Sequence, residues 1–557
     1  MQQYSELLRT ILEKRGIKTL AEAEVFLYPN YERDLYDPFL MKDMEKICVK
    51  LFEIIENKEK TIIYADYDCD GIPGAVVLED LFKKIGYVNY EIYIPARNSE
   101  GYGLNISAIK QFVEKKVKLL ITVDLGITAV SEIAQAEING IDVIITDHHL
   151  SAQTGLPKAY AILNPKVDDY PEKMLCGAGV VFKFVQGFVK KYGQYFKIKD
   201  GAEKWMLDMA GISTLSDLVP LTGENRAIAY FGMKVLRKSP RPGLQKLLAK
   251  MNIDQKYLTE DDIGFMLAPR LNAASRMGDP MMAYKLLSTE DEVKAGEIAD
   301  HLSKINDDRK VMVASIMREI NKKLDLNPMR KKTDVIVIGN PLWRVGVLGL
   351  VASKLSKNCQ KPVFVWGRDE NDLIKGSCRS DGSVSVVELM AETSEFFADF
   401  GGHELAGGFT VYDEKIHFLE AALSASYGKV KRQKIENEVM YDIESDLNEV
   451  NMKNWREIEK LAPFGLGNAK PVFLFKNVKI ENIKKFGKNG SREHLEITFS
   501  DTNGEKQNKI KAISFFSNND SFKIPLIEDI KVNLLATFDL SRFRGKIELR
   551  LRIEDIY

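Results

Sequence analysis

The chain has 557 residues, 45% of them hydrophobic and 29% charged, with a formal net charge of −1. This composition is that of an ordinary globular protein of roughly three to four domains, and the net charge gives no global sign of nucleic-acid binding. A near-zero total still permits a local basic groove offset by acidic residues elsewhere. The five cysteines, Cys48, Cys69, Cys176, Cys359 and Cys378, are scattered without Cys-x-x-Cys spacing, which suits a reducing compartment and argues against disulfides or a structural zinc site. There is no basic-plus-apolar leader and no apolar run approaching the ~18 residues of a membrane span. A cytoplasmic protein with no membrane partner is expected.

Residues 1–45 read as a short helical segment. From 46 to 225, apolar runs at 61–65, 88–94, 119–123, 142–146 and 160–163 alternate with helical stretches such as 74–85 and 104–115, the pattern of a parallel βαβ sheet. Three of the runs end in acid: the first leads into Asp66, Asp68 and Asp70, the third into Asp124, and the fourth into Asp147-His148-His149, in a chain with six histidines. A parallel sheet delivers its strand ends to one rim, where ligands bind. Carboxylates crowded on that rim repel one another unless a multivalent cation neutralises them. Within Asp66-Tyr-Asp-Cys-Asp-Gly71, a continuing strand would place all three carboxylates on one face, with Gly71 allowing a turn. Mixed carboxylate and imidazole donors suit Mn²⁺, with Mg²⁺ as a substitute. Several carboxylates able to bridge suggest two ions about 3.5–4 Å apart, an arrangement used for in-line displacement at phosphorus. Asp217, embedded in the apolar stretch 212–219, ranks as a further ligand ahead of a capping carboxylate.

Residues 226–332 are mostly helical. Ser288-Thr-Glu-Asp291 resembles a capping box that opens a helix reaching about Lys323, and such a helix, about 50 Å long, would serve as a spacer between two lobes. A second α/β domain spans 333–430, with strands at 334–339 and 362–366 and a helix from about Val384 to Phe397. Glycines surround His403, and Ser377 and Arg379 fall on a neighbouring strand, a combination that suits a phosphate site. Residues 436–557 carry strands at 472–484, 493–500, 509–515, 530–538 and 546–554, which suggests a small barrel. Lys484, Lys485, Lys488, Arg492, Arg542 and Arg544, interleaved with Phe486 and Phe543, suit backbone charge pairing plus base stacking.

The signatures Asp66-Tyr-Asp-Cys-Asp-Gly71, Thr122-Val-Asp-Leu-Gly126, Asp147-His-His149 and Ser216-Asp-Leu-Val-Pro-Leu221 resemble motifs I to IV of the DHH phosphoesterase superfamily. Within it, Pro95–Gly103, Pro269–Gly278, Lys375–Ser380, Gly401–Gly408 and Pro463–Asn468 resemble, in order, segments of its single-stranded-DNA-specific exonuclease branch. The resemblance implies a DHH parallel-sheet domain joined by a long helix to a smaller α/β DHHA1 domain, followed by a C-terminal OB-fold barrel. It implies metal ligation by Asp66, Asp68, Asp70, Asp124, His148 and Asp217, with Asp124 bridging two Mn²⁺ ions. His149 would face the scissile phosphate, oriented by Asp147. Asn272, Arg276, Ser377, Arg379, His403 and Arg97 would hold the DNA backbone and 5′ phosphate. The implied activity is 5′ to 3′ degradation of single-stranded DNA in repair and recombination, by a monomer working beside a single-strand-binding protein and a helicase. Single-strand selectivity would be steric, from a cleft too narrow for duplex. Two positions depart from the pattern: Tyr64 and Arg344 stand where many members have His. The rivals are another DHH hydrolase (nanoRNase, cyclic-dinucleotide phosphodiesterase or family II pyrophosphatase), which the barrel argues against, and a non-catalytic single-strand-binding scaffold, which the full carboxylate set argues against.

Overall fold

Strands β1 (Thr61–Ala65), β2 (Tyr90–Tyr93), β3 (Leu119–Val123), β4 (Asp142–Thr146) and β5 (Ala161–Leu163) form an all-parallel sheet in the order β2-β1-β3-β4-β5. The architecture is taken from a computed structural model that describes residues 1–97, 99–151, 155–430, 440–487, 494–501, 508–515, 517, 519–522, 524–542 and 546–557. Every residue of β1 and β3 is buried, as expected for strands covered by helices on both faces. One face carries Ile62, Tyr64, Leu120 and Val143 packed with Phe112 and Ile133 of the helices Ile106–Glu114 and Val130–Ile138. On the other lie Gly71–Ile85 and Gly177–Tyr192. Their approach depends on Gly74, where a Cβ would come within 2.6 Å of Val123 Cγ1.

The helix Glu292–Leu326 has 35 residues, about 50 Å at 1.5 Å per residue. It starts later than the capping-box reading predicts. Ser288 closes the preceding helix, Met281–Ser288, and Asp291 caps the long one by accepting the amides of Val293 and Lys294. The second sheet holds β6 (Ile336–Gly339), β7 (Val363–Arg368), β8 (Ile374–Arg379), β9 (Phe397–His403) and β10 (Ala406–Val411), ordered β6-β7-β8-β10-β9. β6 and β7 are parallel, joined through the helix Val345–Cys359; the remaining pairs are antiparallel. The helix expected to reach Phe397 ends at Ala391. Thr393 turns its hydroxyl back onto Leu389 O at 2.8 Å, and Phe397 joins β9 to pack on Phe400 and Phe409.

Residues 36–219 and 231–436 make up the unit just described; 1–35, 220–230 and 437–557 form another. In the second, β12 (Phe473–Phe486), β13 (His494–Ser500), β14 (Lys509–Ser514), β16 (Glu548–Ile556) and β15 (Lys531–Ser541) close into a five-stranded barrel through the β12–β15 pairing. The short β11 (Ile443–Glu444) adds parallel to β12. The segment read as residues 1–45 divides: residues 1–35 belong to the barrel unit and 36–45 to the first domain's unit. Leu8, Ile11, Leu12, Ala23 and Leu27 share one buried cluster with barrel residues such as Phe473, Ile497 and Leu534. At nine residues Glu6–Lys14 is too short to be stable alone, and its apolar face is covered within the barrel unit. Arg226 ties the segments together, stacking 3.9 Å from the Phe26 ring centroid and donating to Phe26 O and Ala462 O. Among the described residues no helix is long and apolar enough to cross a membrane.

Leu12 is fully buried in this shared cluster. Leu12→Ala should therefore cost about 2–5 kcal/mol of barrel-unit stability. Native-state hydrogen exchange of the β12–β16 amides reads this out. Unchanged protection there would mean the first helix contributes nothing to the barrel.

Candidate metal centre and phosphate pocket

The backbone ladder of the parallel sheet continues one residue past three strand ends. Asp66 N–H donates to Val123 O (3.1 Å), Asp124 N–H to Thr146 O (2.9 Å) and Asp147 N–H to Leu163 O (3.0 Å). Three carboxylates are thereby fixed at equivalent positions on one rim, all buried to 4% exposure or less. Asp124 sits at φ +62°, a left-handed conformation that costs a non-glycine residue about 1–3 kcal/mol and persists at functional sites.

Asp68 and Asp70 do not continue a strand, as the sequence pattern suggests. β1 stops at Ala65, and Asp68 Oδ1 accepts the amides of Asp70 (2.8 Å) and Gly71 (3.1 Å) in a turn that starts the next helix. A Cβ on Gly71 would lie 2.5 Å from Asp66 O, so glycine is required for this turn to fold back on the strand end. Asp70 instead faces the start of Gly177–Tyr192, where Oδ2 accepts Gly177 N–H (2.6 Å) and Oδ1 accepts Ala178 N–H (2.7 Å) and the Ser213 hydroxyl (2.5 Å). A carboxylate at a helix N-terminus is stabilised by such unpaired amides and by the helix dipole.

Three overlapping ligand sets result, each with donor atoms within 4.8 Å of one another: Asp66, Asp68 and Asp124; Asp124, His148 and His149; and Asp70, His148 and Asp217. His148 Nε2 lies 3.2 Å from Asp124 Oδ1, 3.6 Å from Asp70 Oδ2 and 3.8 Å from Asp217 Oδ2. Asp66 Oδ1 and Asp124 Oδ1 are buried and accept no hydrogen bond among the described residues. An unpaired buried carboxylate oxygen is costly, and two side by side with an imidazole form a donor set for divalent cations that take oxygen and nitrogen. The residues present fit such ions.

Electrostatics agree. Burial, and then the neighbouring charges of Asp68 and Asp70 respectively, hold the Asp66 and Asp124 carboxyls well above the usual carboxylate range. Burial and Asp70 push Asp217 up to about 8. Burial lowers the His148 pKa, keeping the imidazole in its neutral, ligating form. Asp147 behaves differently. Its Oδ1 accepts His148 N–H, His149 N–H and His149 Nδ1 (2.8 Å), and its Oδ2 accepts Ile127 N–H. Burial raises the Asp147 carboxyl, but these donors outweigh it and hold the group below its ordinary value; the same pairing outweighs burial at His149 and raises its pKa.

Cationic residues flank the cluster. The helix Ala268–Met277 carries Asn272 and Arg276 one turn apart, on one face. Burial, then the charges of Arg97 and Arg309, push Arg276 down to about 10. Arg97 lies 5.0 Å from the Tyr67 ring centroid and also acts on Arg379, whose guanidinium is lowered first by burial. On β8, Arg379 Nη1 donates to Ser377 Oγ (3.1 Å). Register places Arg379, Ala406 and His403 in one row across β8, β10 and β9, so Ser377, Arg379 and His403 share a face with only small residues between them. Arginines this close together in a partly desolvated place call for an anion.

The two departures from the family pattern have local explanations. Tyr64 points into the core, stacked on Tyr93, with its hydroxyl donating to Gly103 O (2.9 Å), and is no ligand. Arg344 donates to Met277 O at 2.7 Å. Sequence reading did not single out Ser213, Arg309, Lys166 or Tyr102. Tyr102, set between the positive-φ Gly101 and Gly103, places its ring 6.3 Å from that of His149. The barrel's exposed aromatic patch also reaches beyond the expected residues. Phe486 lies 5.2 Å from His494, which lies 5.5 Å from Phe515, and Arg550 and Arg552 are each 5.9 Å from Phe515. Lys484 and Lys485 adjoin Phe486 on β12, and Arg542 is exposed just past β15; Lys488, Arg492, Phe543 and Arg544 lie outside the described residues.

The raised carboxyls give a pH signature. A group with a higher pKa folded than unfolded favours the folded state below the unfolded value, about 4 for Asp, and that contribution is lost as pH rises through the folded value. For Asp217 the window closes near 8. The chelator-treated chain should therefore lose thermal stability between about pH 5.5 and about pH 8.5, and Mn²⁺ should raise Tm more at the upper end of that range than at the lower. An equal or smaller ion-induced shift at the higher pH would remove these carboxyls from the metal site.

Comparison with known proteins follows the same order along the chain. Residues 60–212 match the DHH family N-terminal domain, 332–428 the DHHA1 domain and 441–555 the RecJ OB domain. The chain is 32% identical to the single-stranded-DNA-specific exonuclease RecJ of Bacillus subtilis, over 99% of this chain and 67% of that one, and 28% identical to RecJ of Haemophilus influenzae, over 99% and 96%. The fold is similar to that of RecJ in complex with Mn²⁺ from Thermus thermophilus, with a TM-score of 0.81 at 24% identity, covering all of this chain and 76% of the other. The ordered domains, the rim of carboxylates and this full-length similarity place the chain in the RecJ family of DHH phosphoesterases.

Proposed function

We propose that this protein is a metal-dependent exonuclease that degrades single-stranded DNA from the 5′ end by phosphodiester hydrolysis, acting in DNA repair and recombination. The observation that carries the reading is the continuous ligand set in which Asp124 and His148 each belong to two groups, with buried Asp66 and Asp124 oxygens that accept no hydrogen bond among the described residues. Asp66, Asp68 and Asp124 would hold one ion, and Asp70, Asp124, His148 and Asp217 the other. Mn²⁺, with Mg²⁺ as substitute, supplies the Lewis acidity for in-line attack of water at phosphorus and offsets the charge that develops there.

The chain's own groups supply the rest. Asp147 holds His149 Nδ1 and so directs the ring, leaving Nε2 to donate toward a phosphoryl oxygen, and the same contact raises the His149 pKa. Arg97, Arg276 and Arg379, with Asn272, Ser377 and His403, hold the 5′ phosphate and adjacent backbone. Stacking on Phe486, His494 and Phe515 of the barrel would bind single-stranded DNA, at about 1–3 kcal/mol per base. Single-strand-binding protein and a helicase fit this activity as partners of a cytoplasmic monomer, the helicase because it exposes single strands.

Asp124→Ala should abolish release of mononucleotides from 5′-labelled single strands, by at least about 1,000-fold, with the circular dichroism spectrum unchanged. Full activity in a folded variant would overturn the shared-ligand reading. For the pocket, Arg379→Ala should shrink the rate advantage of a 5′-phosphorylated over a 5′-hydroxyl strand by about tenfold or more. An unaltered preference would locate the end phosphate elsewhere.

A further inference from the structure

Just past the end of β5 lies a cation with no assigned role, Lys166. Asn164, fully buried, donates through Nδ2 to His149 O (2.9 Å) and accepts Lys166 N–H on Oδ1 (2.9 Å). One amide side chain thus ties the Asn164-Pro165-Lys166 turn to the backbone of His149, and Lys166 leaves a main chain held in register with the metal rim. The Lys166 side chain is half-buried, and its ammonium makes no hydrogen bond or ion pair among the described residues.

Its surroundings show which end of the site it serves. Lys166 acts on Asp217, Asp147, His148 and His149, whereas Arg97 acts on Asp66, and Asp68 on Arg276. The Asp66–Asp68–Asp124 group therefore has the arginines as neighbours, and the Asp70–His148–Asp217 group has Lys166. A lysine serving only as a counter-charge would sit in contact with a carboxylate; this one stands off while giving up part of its hydration. Its burial points to an anion that arrives from solution, and a flexible ammonium suits a phosphate oxygen.

We infer that Lys166 is a positioning residue that binds the second internucleotide phosphate, the one immediately 3′ of the scissile linkage. The inference rests on the exonuclease reading above: a strand whose 5′ phosphate lies among the arginines crosses the two ligand groups in turn and carries its next phosphate to Lys166. The contact fixes the strand's register, so that the first linkage, and no other, lies over the ligand groups.

The test uses the full chain with Mn²⁺ and 5′-phosphorylated tetranucleotides in which a single linkage is a neutral methylphosphonate, its diastereomers separated. The single-turnover rate of first-nucleotide release is measured. For the wild-type protein, a neutral second linkage should slow release about tenfold, and a neutral third linkage less than twofold. Lys166→Met should be about tenfold slower on the all-phosphate strand and lose nothing more when the second linkage is neutral; Lys166→Arg should recover most of the rate and the sensitivity. A wild-type rate indifferent to the second linkage overturns the proposal whether or not any variant folds. So does a Lys166→Met protein that loses the same additional factor as the wild type. If the unmodified tetranucleotide releases no nucleotide from the wild-type protein, it is the exonuclease reading that falls.

Discussion

Carboxylates buried side by side, with no ion pair to an Arg or Lys side chain among the described residues, are the constraint around which this protein is organised. Burial and the neighbouring carboxylates raise the pKa of both Asp66 and Asp124, and their inner oxygens accept no hydrogen bond among the described residues. The fold holds them there through its most rigid device, a parallel ladder extended one residue past each strand end. The supporting contacts are close approaches of glycine backbone: Gly71 against Asp66, and Gly177 with its missing Cβ 2.5 Å from Asp124 Cβ. The outer positions are held by Asp68 and Asp217, which are less buried. This division is what preorganisation requires, since a donor set that had to collapse around each ion would spend binding energy on ordering itself.

Much of this was legible in the sequence, for identifiable reasons. β1, β3 and β4 are short apolar runs that stop at acid, and the sheet rule then brings their ends together without further information. The strands of the barrel were equally clear from their spacing and turns. What the sequence did not disclose is what depends on long-range partners. Asp70 looked like a third member of an alternating strand, but the amides of Gly177 and Ala178, more than a hundred residues on, determine its direction. Ser288 fits a capping box by composition, yet the preceding helix absorbs it. Lys166 carries no pattern of its own; only the Asn164 bridge to His149 distinguishes it from an ordinary surface lysine.

The net charge of −1 conceals an ordered separation of sign. Acidic groups converge on the sheet rim, arginines gather beside Asp66 and Asp68, and a lysine stands at the Asp217 side. A polyanion entering such a field meets attraction at both flanks and repulsion in the middle until divalent ions are present. Ion loading and strand binding are thereby coupled, because the ions offset the negative charge of the central segment. A chain with the same total charge spread evenly would have no such dependence.

The sharing of one core by residues 1–35 and 437–557 also has a consequence during synthesis. The helices of residues 1–35 leave the ribosome well before the strands that cover them, which follow about 400 residues later. At ~5–20 residues per second, those apolar faces wait roughly 20–80 s for their partner. Over that interval the intervening domains can complete their own cores, while the early helices have no native surface to occupy. The barrel unit therefore closes after the catalytic sheet, and its assembly depends on keeping an early, sticky segment out of other contacts. Growth temperature and chaperone supply should govern the yield of this protein more than the stability of its catalytic sheet does.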